Sequence, residues 1–260
     1  LPFIRHATQI TESDIDVAVK RSPQFLLKTL PRRPELLTMT VDVQGQCFWW
    51  SVRAWGIIEE HPDVPIWSAL VEYGSAVSWD QIEEIAGIKA QPDGTWNEYE
   101  WPQTGEKFRV TAGLVDSGFE AQQNKNVYGF CIRNSHVFSP SKGGGWQQLR
   151  GMTLRTAPVA DDQLELIWYD DATAKQQLYY HCLREHKSHW WLPINVGPDY
   201  RRQMTAEHTE EKKQQDGTVR LEWVVSGADG NHLGDTEKMH EVLRPVIEGK
   251  LAEAREVILA

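Results

Sequence analysis

The chain has 260 residues, 40% of them apolar and 25% charged, which excludes disorder and suits one elaborated α/β domain. A formal net charge of −10 argues against a broadly basic nucleic-acid grip, because phosphate contacts need Lys and Arg. It leaves room for a local basic surface or an acidic metal site. Three scattered cysteines, Cys47, Cys131 and Cys182, imply no disulfide framework and suit a reducing cytoplasm.

Residues 1–34 read as a linker or arm, interrupted by Pro2, Pro23, Pro31 and Pro34, with one short helix over 11–21. Residues 35–44 alternate: Leu37, Met39, Val41 and Val43 face one way, Thr38, Thr40 and Asp42 the other. That is strand periodicity. Gly45 turns the chain into a paired strand over 47–56, and a third strand is expected over 65–73. Residues 78–90 have helical spacing, with Ser78 as N-cap and Ile82, Ile85 and Ile88 on one face. A polar loop over 91–105 leads to a strand over 107–116. A helix over 125–133 follows, then a short strand from Val137 and a Lys142-Gly-Gly-Gly145 loop. Strand 164–169, helix 172–186, a short helix 198–206, strand 219–225 and helix 232–243 complete the pass, with Pro245 ending the last helix or starting another. A meander followed by alternation of strands and helices predicts an α/β fold: a mixed sheet flanked by helices over 35–260.

Twelve tryptophans are expected mainly as core and loop anchors. No apolar stretch approaches the roughly 18 residues of a membrane span. The chain opens on Leu1-Pro2-Phe3, without Met or a signal peptide, which suggests a piece of a longer polypeptide.

Three carboxylates stand out by position. Asp42 is on the polar face of the first strand near its end, and Asp116 closes a later strand before Ser117-Gly118. Asp235 falls in the first turn of the C-terminal helix, on a face with Met239, Val242 and Val246. Three acids at one sheet edge suit a pair of divalent cations, as two-metal phosphodiester hydrolysis requires. Hard oxygen ligands favour Mg²⁺ or Mn²⁺. The competing reading is ordinary: acids commonly end strands, and Asp in a first helical turn suits the helix dipole.

The wording around these acids resembles one family. Thr40-Val-Asp-Val-Gln44 with Ala54-Trp-Gly56 is similar to the opening of the nuclease region in the GpA, lambda-type terminase large subunits. Val115-Asp-Ser-Gly118, Asn126-Val-Tyr128 and Lys142-Gly143 resemble its second-acid strand and "KG" loop. Tyr200-Arg-Arg-Gln-Met-Thr-Ala-Glu207, Gly217, Trp223 and Asn231-His-Leu-Gly-Asp235 are similar to its later stretches. The ordered match runs from about Leu37 to about Met239. His232 stands where the family often carries an acid, and the tail after Met239 has no counterpart.

The resemblance implies an RNase H-like fold and a two-metal endonuclease that cuts concatemeric viral double-stranded DNA. Asp42 would bridge the two Mg²⁺ or Mn²⁺ ions, with Asp116 and Asp235 completing the ligands. It also implies an ATPase motor domain in the same polypeptide, a small terminase subunit and the portal of a procapsid as partners, no membrane, and a place in the bacterial host cytoplasm. The motor's G-x-x-x-x-G-K-[ST] loop is missing from this sequence.

Secondary candidates each carry a plain structural alternative. His232 suits a proton shuttle or ligand, or a capping histidine. Glu207 suits metal support or a salt bridge, and Ser117 a hydrogen bond to Asp116 or a turn. Lys142, Lys175, Arg201 and Arg202 are candidate DNA-backbone contacts, or solvated charges. The 210–213 charge run reads as solvated. His181, Cys182, His186 and His189 fit no common zinc spacing, and a G-x-S-x-G elbow is missing. Two further functions stand beside the packaging nuclease: a resolvase- or transposase-like enzyme with the same acids, and a non-catalytic module docking on portal or motor.

Overall fold

The computed structural model describes residues 9–58, 66–118, 126–145, 149, 152–184, 189–213, 217–227 and 230–259. Pro65, Lys125 and His186 lie outside the described residues, as does the His181 side chain.

The alternation at the start of the domain builds a meander. Strands β1 (Leu36–Val43), β2 (Phe48–Ile57) and β3 (Ile66–Ala76) pair antiparallel in turn. Then β6 (Val110–Asp116), β7 (Phe138–Gly144) and β9 (Leu164–Asp170) add successively to β1, all parallel to it. β8 (Leu154–Val159) and β10 (His189–Trp191) close the two edges of an eight-stranded sheet, ordered β10-β3-β2-β1-β6-β7-β9-β8. Its centre, an antiparallel trio continued by parallel strands beside β1, is the RNase H-like arrangement. Two ribbons stand apart: β4 (Tyr99–Trp101) with β5 (Glu106–Phe108), and β11 (Glu207–Lys213) with β12 (Val219–Val225).

Each face of the sheet is covered. Leu37, Met39, Val41 and Val43 join the main core with Phe130 of α3 (Val127–Arg133) and Ile82 of α2 (Trp79–Ile85). The opposite face packs Trp55 and Leu114 against Met239, Val242 and Leu243 of α6 (His232–Leu259). A third cluster gathers Ile15 and Ala18 of α1 (Glu12–Arg21), Tyr200 of α5 (Pro198–Met204) and Leu233.

Several expectations are corrected. Within the segment read as a linker or arm, the expected short helix forms as α1 and packs onto the body: it buries Ile15 and Ala18, and the Ser22 hydroxyl accepts the Leu192 amide. Helix α2 stops early because Gly87 takes φ +71°, a left-handed turn natural to glycine. The polar 91–105 loop contains β4. The 107–116 strand is broken at Arg109 into β5 and β6. Lys142-Gly-Gly144 is part of β7 rather than a loop. The 172–186 helix is α4 (Asp171–Gln176) running into a π-helical stretch, Gln177–Arg184. The charged run at 210–213 is exposed, as expected, although it pairs within β11, and α6 continues through Pro245 to Leu259. Among the described residues, five tryptophans are core: Trp50, Trp55, Trp67, Trp190 and Trp191.

Candidate acidic active site

Helix α6 and strand β1 are in step. Thr38 meets the His240 ring at 2.8 Å, the Thr40 hydroxyl donates to the Thr236 carbonyl at 2.8 Å, and Asp42 meets His232 at 2.9 Å. Two residues of strand advance about 6.6 Å and four residues of helix about 6 Å, so the polar face of one tracks one stripe of the other. The pairing is locked below by Arg53 and Glu237, both with fully buried side chains, 2.7 Å apart. Arg53 also donates to the carbonyls of Ser68 and Trp191 and lies 4.3 Å over the Trp190 ring.

Asp42 and Asp116 end adjacent parallel strands on the face that α6 covers, and Asp235 comes down from the first turn of α6. All three line one cleft of about 290 Å³, with Gly118, Gly143, Gly144, Tyr169, Asp171, Lys238 and Met239. Gly143 leaves the opening clear, because a Cβ there would meet an Asp171 carboxylate oxygen at 3.2 Å and the Tyr169 hydroxyl at 3.3 Å.

Asp42 accepts from Gln44 Nε2 at 2.8 Å and is bonded by His232 Nδ1, whose ring stacks on Trp49 with centroids 5.7 Å apart. Burial raises the Asp42 carboxyl, opposed by the His232 bond and reinforced by Asp235. The same hydrogen bond raises the His232 imidazole. Burial and the neighbouring Asp42 push Asp116 up to about 7. The Gly118 amide donates to it at 3.1 Å. Asp171 goes the other way: burial resists its charge, but the ammonium groups of Lys238 and Lys175 hold it down at about 2.

Asp171 and Lys238 were not anticipated from the sequence. Both had a signal: Asp171 follows a strand and opens a helix, and Lys238 lies one helical turn beyond Asp235. Lys238 Nζ reaches Asp235 at 2.5 Å and Asp171 at 2.7 Å.

The other candidates separate. Glu207, buried, binds Lys175 Nζ at 2.6 Å and accepts the Tyr179 hydroxyl at 3.3 Å. Lys175 is therefore an interior ion-pair partner, not a surface charge, because Asp171 and Glu207 both claim its ammonium. Lys142 points to the sheet face opposite the acids, 5.3 Å over the Trp168 ring, since its neighbours Ser141 and Gly143 occupy the cleft side. The Ser117 hydroxyl donates to the Ser141 carbonyl rather than to Asp116. Arg201 pairs with Asp16 of α1 at 2.7 Å, and Arg202 is exposed on α5; neither lines the cleft. Cys182 is buried among apolar residues of the third cluster, and His189 lies on the edge strand β10.

The donor set fits a hard divalent cation in kind: desolvated, mutually repelling carboxylates at the mouth of one cleft. Among the described residues no His/Cys/Asp/Glu trio already surrounds a single point. Lys238 bonds both Asp235 and Asp171.

Fold and acid cluster together define an RNase H-like domain with a carboxylate cleft at the ends of β1 and β6. A family model described as "Terminase large subunit gpA, endonuclease domain" matches residues 4–251, and the chain belongs to that family. Among solved structures, the large terminase nuclease from thermophilic phage G20c is similar at 11% identity and a TM-score of 0.41, over 89% of this chain and 96% of that one. A comparison with curated proteins gives no match.

Proposed function

We propose that this chain is a metal-dependent endonuclease domain that cuts concatemeric viral double-stranded DNA during packaging. The observation that carries the reading is the convergence of Asp42, Asp116 and Asp235 in one cleft, in a chain of the terminase endonuclease-domain family. Asp42, Asp116 and Asp235 would hold two divalent cations, Mg²⁺ or Mn²⁺. When bound, such a pair activates a water and stabilises the leaving oxygen of a phosphodiester.

The protein's own residues do the rest. Gln44 and His232 both bond Oδ2 of Asp42 and fix its carboxylate. Gly143 and Gly144 keep the rim low enough for a backbone phosphate to approach. Tyr169 of β9 and Met239 of α6 line the cleft. The family further suggests an ATPase motor in the same polypeptide, a small terminase subunit and a procapsid portal as partners, in the bacterial host cytoplasm.

Supercoiled plasmid is the test substrate. The purified chain should nick and linearise it with Mn²⁺ or Mg²⁺ but not with EDTA, and Asp42→Ala should remove cleavage without unfolding the domain. Equal cleavage by the variant contradicts the assignment.

A further inference from the structure

Five charged side chains alternate in sign from the β11–β12 ribbon into the cleft. Glu207 binds Lys175 at 2.6 Å, Lys175 binds Asp171 at 3.1 Å, Asp171 binds Lys238 at 2.7 Å, and Lys238 binds Asp235 at 2.5 Å. The two lysines and Glu207 are almost dry, at 7%, 9% and 3% exposed, while Asp171 and Asp235 are 34% and 24% exposed. Attraction between such desolvated partners is weakly screened. Asp171 is anchored from behind, one oxygen on Lys175 and the other on Lys238. Lys238 therefore sits between a fixed carboxylate and Asp235, the acid that the proposed cation site needs.

We infer that Lys238 is a positioning residue for the cation site: its ammonium pairs with Asp235 and so competes with a divalent ion for that carboxylate. This rests on the metal-dependent reading above. Asp171 acts as the counterweight, because it holds the ammonium back and so eases its release from Asp235. Removing Lys238 and removing the Asp171 charge should then shift cation affinity in opposite directions. A merely structural role for the pair would weaken both variants alike.

The test is calorimetric titration of Mn²⁺ into the intact, DNA-free chain. Lys238→Met should bind Mn²⁺ at least about 5-fold more tightly than the parent chain. Lys238→Arg, which keeps the charge, should stay near the parent value. Asp171→Asn leaves the ammonium to Asp235 alone and should bind several-fold more weakly. Circular dichroism checks folding, and if Lys238→Met does not fold, the Asp171→Asn direction decides. Unchanged or weaker binding by Lys238→Met, or tighter binding by Asp171→Asn, overturns the inference while leaving the metal site standing. No Mn²⁺ binding by either the parent or folded Lys238→Met overturns the metal-dependent reading itself.

Discussion

Asp42 is held by two donors and crowded by two acids. Gln44 and His232 stabilise its charge, while burial, Asp116 and Asp235 oppose it. In that balance His232 orients the carboxylate and shares its charge. Loss of such a supporting partner typically costs a metal site about 10–100-fold. His232→Ala should therefore lower Mn²⁺-dependent cleavage by about that factor while leaving the melting temperature within a few degrees; unchanged cleavage would leave His232 a mere cap on α6. Asp116 gives a pH prediction. Its folded carboxyl is raised to about 7, so the fold favours the protonated form. That contribution is full below the unfolded value, near 4, and is lost as pH rises through about 7. In EDTA the domain should melt lower at pH 8 than at pH 5.5, and Asp116→Asn should recover on the order of 1–3 kcal/mol at pH 8. An Asp116→Asn melt that follows the parent curve at both pH values would contradict this.

Helix α6 is the element that turns a sheet into a site. Its stripe of His232, Thr236 and His240 matches the polar face of β1, and Glu237 buries a charge pair against Arg53. Breaking one side of a buried pair leaves an uncompensated charge and typically costs about 3–5 kcal/mol. Glu237→Ala should lose stability of that order in chemical denaturation, and a loss under about 1 kcal/mol would show that the pair is not what seats the helix. This register was partly legible in the sequence. Alternation in 36–43 exposed Asp42, and the helical phase of Asp235 with Met239 and Val242 aimed it at the sheet. Other elements were not legible. β11 reads Glu-His-Thr-Glu-Glu-Lys-Lys and has no apolar alternation, because only its first residues are buried. β8 and β10 are edge strands, where packing on one side suffices and the sequence signal is weak. Pro245 suggested an end or a new helix start, but its position in α6 is exposed and the helix runs through it. Asp171 was hidden in a strand–helix junction where neighbouring Asp170 already serves as N-cap.

Across the whole molecule, a net charge of −10 surrounds a cleft of four aspartates and one lysine. Such a domain is self-repelling where it is meant to act, and cations should stabilise it globally. A ligand present at about 100 times its dissociation constant adds roughly 2.7 kcal/mol. Saturating Mn²⁺ should therefore raise the melting temperature of the parent chain by several degrees, and Asp42→Ala should abolish most of that rise. An equal shift in both chains would place the bound ions elsewhere on the acidic surface. The same charge predicts a weak hold on DNA by this chain alone: Lys142 faces away from the cleft, and Lys175 and Lys238 are engaged in ion pairs.

The most direct measurement is cleavage of supercoiled plasmid by the purified chain in Mn²⁺, Mg²⁺ or EDTA, run beside a folded Asp42→Ala variant. Metal-dependent nicking and linearisation that disappears in the variant is the predicted result. Cleavage that survives in EDTA, or that Asp42→Ala retains at the parent rate, would contradict the account.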